Sequence, residues 1–578
     1  MIRIRYACWV LATIFFILYP YLTALPSPTA AQIFVNGRRI DITPLTVADG
    51  RVLVPLRATA MYLGAEVRYA EGVVTLENGP RRIDLPVETL TLHDNRTYLP
   101  LETLAELLGI QLYPSGEQIY IRIPPSQLRG IAIEDNRIII ELSRFTPIQP
   151  KWLDERTLLL TLFNVPWEYS DQQVSTSSWL IERAELLRER PYKILLKLYL
   201  RYPLGVQMRR FAGESSEFVE VTIDGDSTLE RSVQLDANIS YHEIDRIFNN
   251  QLTELRYLKI ANYSSHYRLE PTLPGAGIGS LDSLKEMVAS SGGVAGINAN
   301  FFDLETNIPV GLLIKDGELL SPNYERRAAM GENWDGRAIF FNPTVALFVE
   351  NDRYTIPVED VNHPLHHGEL TLYSPNYNRK INFDFPVVVA KIWFGRVRQI
   401  FEVHRPSVLF TDGVSHLLIA SGEAAEAMQV LKLGDKVRLT YQLDPYYINI
   451  RNAISAGPRL LQDGQLVLDP KRENFDSGFA RLKTARSVIA TTYQDELILL
   501  VVVQNGPLNG SGMDLWELAG FLKGLGVRDA MALDGGGSSS LVFTQDGRLK
   551  QVGQRRRVAV GLTIIPRETG AQAQVPGS

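Results

Sequence analysis

Asp534 is followed by Gly535, Gly536 and Gly537 and then by Ser538, Ser539 and Ser540. Glycines let a backbone take positive φ and come close to a ligand. Successive N–H groups can then form a concave anion site, helped by the serine hydroxyls. A carboxylate at its rim could orient a sugar hydroxyl or a water. The alternative is a tight turn in which Asp534 caps its own backbone. Positive charge could come from Arg459, in Ser455-Ala-Gly-Pro-Arg459, and from Arg486, just before the apolar run Leu497–Val503. The planar guanidinium fork matches phosphate oxygens two at a time. Asn298, Asn300 and Asp303 close a third segment, Gly293-Val-Ala-Gly-Ile-Asn-Ala-Asn-Phe-Phe-Asp303. Two amides and a carboxylate at the end of a buried strand are costly to leave unpaired, so they either tie down a turn or face a ligand.

The composition narrows the chemistry. The 578 residues carry a net charge of −6, which gives no general attraction to nucleic acid. Cys8 is the single cysteine, so an intramolecular disulfide and a cysteine-built metal site are excluded. Eight histidines include one cluster, His363-Pro-Leu-His366-His367, which reads as loop. No spacing requires a metal, and no cofactor is implied. The glycine-serine loop lacks the Lys-Ser/Thr ending of a nucleotide-binding P-loop. No Gly-x-Ser-x-Gly elbow favours a serine hydrolase.

The elements that must position these groups are legible. A helix over Leu281–Ser290, capped by Ser280 or Asp282, precedes the asparagine segment. A second begins after Asp514, with Leu515, Leu518, Ala519 and Leu522 on one face and Gly524 and Gly526 at its end. Glu517 lies in its first turn, where a carboxylate supports a helix N-terminus. Ala530–Leu533 is apolar enough for a central strand and delivers Asp534.

Upstream, Arg51-Val-Leu-Val-Pro55 through Leu63-Gly64 recurs 45 residues later as Arg96-Thr-Tyr-Leu-Pro100 through Leu108-Gly109. Each copy reads as strand, proline at a helix start, amphipathic helix and glycine stop. Residues 126–235 alternate as strands do, with a turn at Asp135-Asn136, and the basic stretch Arg183–Arg210 reads as a solvated face. Arg3 and Arg5 before an uncharged run of 17 residues, Trp9–Leu25, read as a secretory signal or an uncleaved anchor. The expected layout is a signal or anchor at 1–31, a repeat stalk domain at 32–125, a β-rich linker domain at 126–235, the chemistry-bearing domain at 236–567 and a flexible tail at 568–578. The expected fold class is α+β, with a mixed β-sheet catalytic domain and few helices.

Residues 32–125 resemble the N-terminal repeat domain of copper amine oxidases, without that family's His-x-His copper pair. Arg486-Ser-Val-Ile-Ala, Leu497–Val503, Gly512-Met-Asp-Leu-Trp-Glu517-Leu-Ala-Gly and Ala532-Leu-Asp-Gly-Gly-Gly-Ser-Ser, with Asn298–Asp303, resemble the phosphodiester glycosidase family over about 236–566. The resemblance implies hydrolysis of the sugar C1–O bond of a sugar-1-phosphodiester glycan in an envelope or exopolysaccharide. Arg486, Arg459 and the Gly535–Ser539 loop would bind the phosphate. Asp534 would act at the anomeric centre or on water, with Glu517 or Asp303 as second carboxylate and Asn298 and Asn300 holding the sugar. The chain departs from the family at Gln504, where Asp is frequent, and at Ala490, where Gly is frequent. Those departures favour the alternative, a non-catalytic wall- or polysaccharide-binding protein. The expected location is extracytoplasmic, secreted or envelope-associated in a bacterium. The N-terminal domains are candidates for touching cell-wall polymer, and contact with membrane is expected only if the N-terminal run stays uncleaved.

Overall fold

The computed structural model describes residues 32–567, except 47–50, 167–170, 191, 249–250, 324, 445–449 and 505–511. The expected signal or anchor and the C-terminal tail lie outside the described residues. Strand accounts for 54% of the structure and helix for 11%, so the chain is β-rich with few helices. Two compact units divide it, Met1–Ser227 and Thr228–Ser578.

In the first unit the duplicated strands pair with each other. Val52–Pro55 runs antiparallel to Arg96–Pro100, with Val54 opposite Leu99. The two helices, Leu56–Tyr62 and Leu101–Leu108, share one core that includes Leu56, Ala60, Leu101 and Leu104. One copy alone would leave its apolar face open, and pairing closes it. Gly109 ends the second helix in the left-handed conformation.

Residues 128–224 form two antiparallel sheets, of four and five strands. Ile138, Ile140, Leu158, Leu160 and Leu162 are fully buried at alternate positions. The expected boundary at 125/126 does not divide the contacts. Glu66, on the repeat module, pairs with Arg210 and accepts the Ile148 N–H at 3.3 Å. Arg210 also bonds Glu217 at 2.7 Å, so it is an ion-pair partner rather than part of a solvated face. The second unit begins at Thr228 instead of 236, because Ser227–Gln234 forms the edge strand beside Ile239–Phe248.

The second unit is built on an eight-stranded sheet and a five-stranded sheet. At the centre of the first lie Gln251–Ile260, Leu497–Val503, Arg486–Thr492 and Val527–Ala532, all in antiparallel register. The five-stranded sheet places Ala295–Asn298 between Gly561–Pro566 and Ser540–Gln545, again antiparallel. The expected mixed sheet is therefore antiparallel at its centre.

A core containing Ile297, Leu499, Val501, Met531, Leu541 and Leu562 covers one face of the large sheet. The helix Leu515–Gly524 covers the other, setting Leu515, Leu518, Ala519 and Leu522 against Val488, Leu500, Val502 and Ala530. Every residue of Arg486–Thr492 and Leu497–Val503 is buried in consequence, which is why Leu497–Val503 is apolar without alternation. The first helix is Leu284–Ser290, three residues shorter than expected at its start. Ser283 caps it in a reciprocal box with Glu286.

Candidate active site

Val527–Ala532 carries the chain out of the large sheet into Asp534. Its N–H donates to Ala299 O at 3.0 Å, and its carbonyl accepts Asn298 Nδ2 at 2.6 Å. Gly536–Ser538 then make one 3₁₀ turn. Gly536 sits at φ +57°, in the left-handed region that favours glycine, and its N–H donates to Ala485 O at 2.8 Å. Ser538 and Ser539 N–H groups donate back to Gly535 and Gly536 carbonyls. The expected concave array of free amides is thus largely closed. The glycines serve close packing: a Cβ on Gly535 would stand 3.2 Å from Ala485 O, and one on Gly537 would stand 3.0 Å from Arg556 Cζ.

The carboxyl of Asp534 is recessed and only partly exposed. Burial pushes its pKa up to about 6, against weaker opposing pulls from the Ser538 side chain, Arg556 and the Gly535 N–H. Ser538 Oγ nevertheless makes no hydrogen bond of normal geometry. Arg556 was not expected among the site residues. It lies exposed across Gly537, while its neighbour Arg557 is held by Asp282 at 3.0 Å. Its sequence signal was the run Arg555-Arg556-Arg557, in which nothing marks one arginine as different.

Arg486 is buried under the turn. Its Nε donates to Met513 O, and its Nη2 donates to the Phe479 and Leu482 carbonyls. The Phe479 ring lies beneath the guanidinium at 5.1 Å, and burial lowers the pKa to about 10. Its Nη1 lies 3.9 Å from where a Cβ on Gly535 would be, so one edge of the fork faces the turn.

Arg459 does not join them. Its Nη2 bonds Asp529 at 2.7 Å and its Nε bonds Leu461 O at 3.0 Å. Asp529 lies five residues before Asp534, about 16 Å along an extended segment. The expected phosphate contact is corrected to a buried ion pair, because Arg459 and Asp529 share one face of adjacent strands.

Asn298 is fully buried. Besides donating Nδ2 to Asp534 O, it accepts Ser487 Oγ at 2.7 Å and Ser540 N–H at 3.0 Å at its Oδ1. It ties three segments together, and in this fully buried side chain only one Nδ2 hydrogen stays uncommitted. Asn300 spends its Nδ2 on Leu312 and Ser455 carbonyls, at 3.0 and 2.9 Å. Its Oδ1 is buried with no partner, as are Ser455 Oγ, Ser538 Oγ and Ser539 Oγ. An unpaired buried polar group costs about 1–3 kcal/mol, which a bound molecule could recover. Ser455 carries no local sequence signal, since only the fold brings it to the Asn300 amide, 155 residues away.

Asp303 closes a turn, accepting the Glu305 and Thr306 N–H groups at 3.0 and 2.7 Å. Those bonds from Thr306 hold its carboxyl below the ordinary range. Glu517 is exposed, completes the capping box of Asp514, and pairs with Lys483 at 2.7 Å. Both carboxyls are thus held in local bonds, and neither is among the groups that shift the pKa of Asp534. Gln504 Oε1 accepts Thr484 Oγ1 and Ala485 N–H, both at 3.3 Å, directly beside the turn. Its neighbours Asn505 and Gly506 lie outside the described residues. Among the described residues no three His, Cys, Asp or Glu side chains converge as metal ligands. His363 bonds Asp360 at 2.8 Å instead. No described helix is long and apolar enough to cross a membrane.

Residues 393–565 match the phosphodiester glycosidase family, and residues 34–92 match the copper amine oxidase N-terminal domain. The first match includes Asp534, Arg486 and Arg556; Asn298 lies outside it. The crystal structure of a hypothetical protein from Synechocystis is 18% identical with a TM-score of 0.52, over 93% of this chain and 99% of its own, which shows a shared fold. A putative exported protein from Burkholderia pseudomallei is 15% identical, with a TM-score of 0.45, over 76% of this chain and 97% of its own. The zebrafish N-acetylglucosamine-1-phosphodiester α-N-acetylglucosaminidase catalytic domain, auto-inhibited by its pro-peptide, is 15% identical with a TM-score of 0.33. That alignment covers 59% of this chain and 88% of the zebrafish domain. Comparison with curated proteins found no match.

Proposed function

We propose that Thr228–Ser578 hydrolyses the sugar C1–O bond of sugar-1-phosphodiesters in an envelope or exopolysaccharide glycan, and that the protein acts outside the cytoplasm. The observation that carries this reading is a recessed Asp534, in a segment of the phosphodiester glycosidase family, on a turn flanked by Arg486 and Arg556. The leaving group departs as a phosphomonoester anion, so it needs positive charge more than a proton. Arg556 and the free edge of Arg486 supply that charge. Water attacks C1 as the C1–O bond breaks, and ionised Asp534 takes the proton that the water loses. The unpaired groups of Asn300, Ser455, Ser538 and Ser539 supply hydrogen-bonding capacity for the sugar and phosphate.

A second reading, a glycan-binding domain without turnover, is favoured by one observation. The turn's amides and most of Arg486 are spent internally, and Gln504 stands where the family often has a carboxylate. Incubation of the full chain with a panel of sugar-1-phosphodiesters separates the two. Release of reducing sugar that is lost in Asp534→Asn supports hydrolysis. Saturable binding without release, equal in both proteins, supports the second reading.

A further inference from the structure

A cleft of about 510 Å³ lies elsewhere in the same unit, within the usual size range for a ligand site. Arg379 and Lys380 bring positive charge to it, Asn378 and Asn382 bring amides, and Phe410 brings a ring that is 63% exposed. Among the described residues no ion pair neutralises Arg379 or Lys380. The nearby acid Asp412 is bound to Lys391 at 2.6 Å.

The cleft is rigidly built. Ile381–Phe383 pairs antiparallel with Ser407–Leu409, which brings the segment bearing Asn382 and Lys380 alongside that bearing Phe410. Thr411 Oγ1 donates to Tyr377 O at 2.7 Å and fixes the floor. An aromatic face with amides and cations around it suits a pyranose ring bearing negative charge. It does not suit an apolar molecule, for which two unpaired cations would be a desolvation cost.

One loop joins this cleft to the Asp534 turn. Ile278 exchanges backbone bonds with Asn376 and Asn378, at 2.8 and 2.9 Å. Gly279, at φ +88°, leaves room for the Arg379 stem, whose Cγ would stand 2.2 Å from a Cβ there. Four residues after Ile278, Asp282 bridges to Val558 and holds Arg557, next to Arg556. Those four residue steps span at most about 14 Å, the length of a few sugar units.

We infer that the Arg379–Lys380–Phe410 cleft is a second subsite, which takes a further anionic unit of a polymeric glycan whose phosphodiester lies at Asp534. This rests on the hydrolase reading above and adds that the substrate is a charged polymer. The test uses the full chain, with Lys380→Ala and Phe410→Ala, on a glycosyl-phosphate oligomer of about six repeats and on a single sugar-1-phosphodiester. The expected result is a fall of tenfold or more in kcat/KM for the oligomer relative to the single unit. An unchanged ratio in both variants overturns the subsite.

Binding is measured in parallel on Asp534→Asn, with and without Lys380→Ala, using the same oligomer, an oligogalacturonate and a neutral dextran. Tenfold weaker oligomer binding on loss of Lys380 supports the subsite even if no protein turns over, an outcome that would remove only the hydrolase reading. Uronate binding as tight as oligomer binding supports a site that reads charge; dextran binding as tight as either overturns it.

Discussion

Replacing Asp534 with Asn keeps the side chain's size and removes its charge, so stability and activity should move in opposite directions. Burial raises the pKa from an ordinary 3.8 to about 6 in the folded protein. The native state therefore holds its proton where the unfolded chain has already lost it. Stability falls as pH rises between about 4 and 6, and the penalty is complete above 6. At about 1.4 kcal/mol for each pH unit between the two values, the penalty is at most ~3 kcal/mol. The carboxyl is partly exposed, and solvent screening brings this nearer ~1–2 kcal/mol. Urea unfolding of the full chain, followed through the transition of Thr228–Ser578, should show Asp534→Asn more stable by that amount at pH 7 and equal to wild type at pH 4. Turnover should drop by about 10²–10⁴-fold. Wild-type kcat/KM should fall as pH drops through 6, because the ionised carboxyl accepts the proton. Stability curves for the two proteins that run parallel from pH 4 to 7 would refute the claim that this carboxyl is held protonated by its recess.

Arg556→Ala should lower kcat/KM by about 10–100-fold with under ~0.5 kcal/mol lost in urea unfolding, because the side chain is exposed and reaches only the turn. Arg459→Ala should instead cost about 2–4 kcal/mol in the same assay, since it leaves the buried Asp529 with Arg528 as its remaining ion-pair partner. Turnover per folded molecule should stay within about twofold. Glu517→Ala should cost about 1 kcal/mol through the lost cap and the exposed pair with Lys483, and leave kcat/KM within about twofold.

The sequence made the scaffold legible where local physics decides it. The uninterrupted apolar runs at Leu497–Val503 and Ala530–Ala532 lie in strands buried on both faces, and Asp514 with Glu517 marks a helix start whatever lies around it. The duplication announced two modules that would need each other, and they share a core. Side-chain direction was not legible. Arg459 and Arg486 each open a strand, yet a strand partner at Asp529 captures one, while the other meets a ring of carbonyls from Phe479, Leu482 and Met513. Asn298 reads as a ligand contact only until Ser487 and Ser540, 189 and 242 residues away, occupy its carbonyl oxygen. Arg556 had no local signature because its role depends on the bare backbone of Gly537.

That amide also sets an order on events at the ribosome. Ala295–Asn298 waits for both of its neighbouring strands, Ser540–Gln545 and Gly561–Pro566. At about 5–20 residues per second, the second half of the interval to Ser540 alone keeps the strand single for many seconds. A nascent chain cut short of residue 540 has every residue of the asparagine segment and no place to put it. Such a polypeptide keeps the asparagine strand unpaired until residues beyond 540 are made, and the candidate site is among the last parts to close.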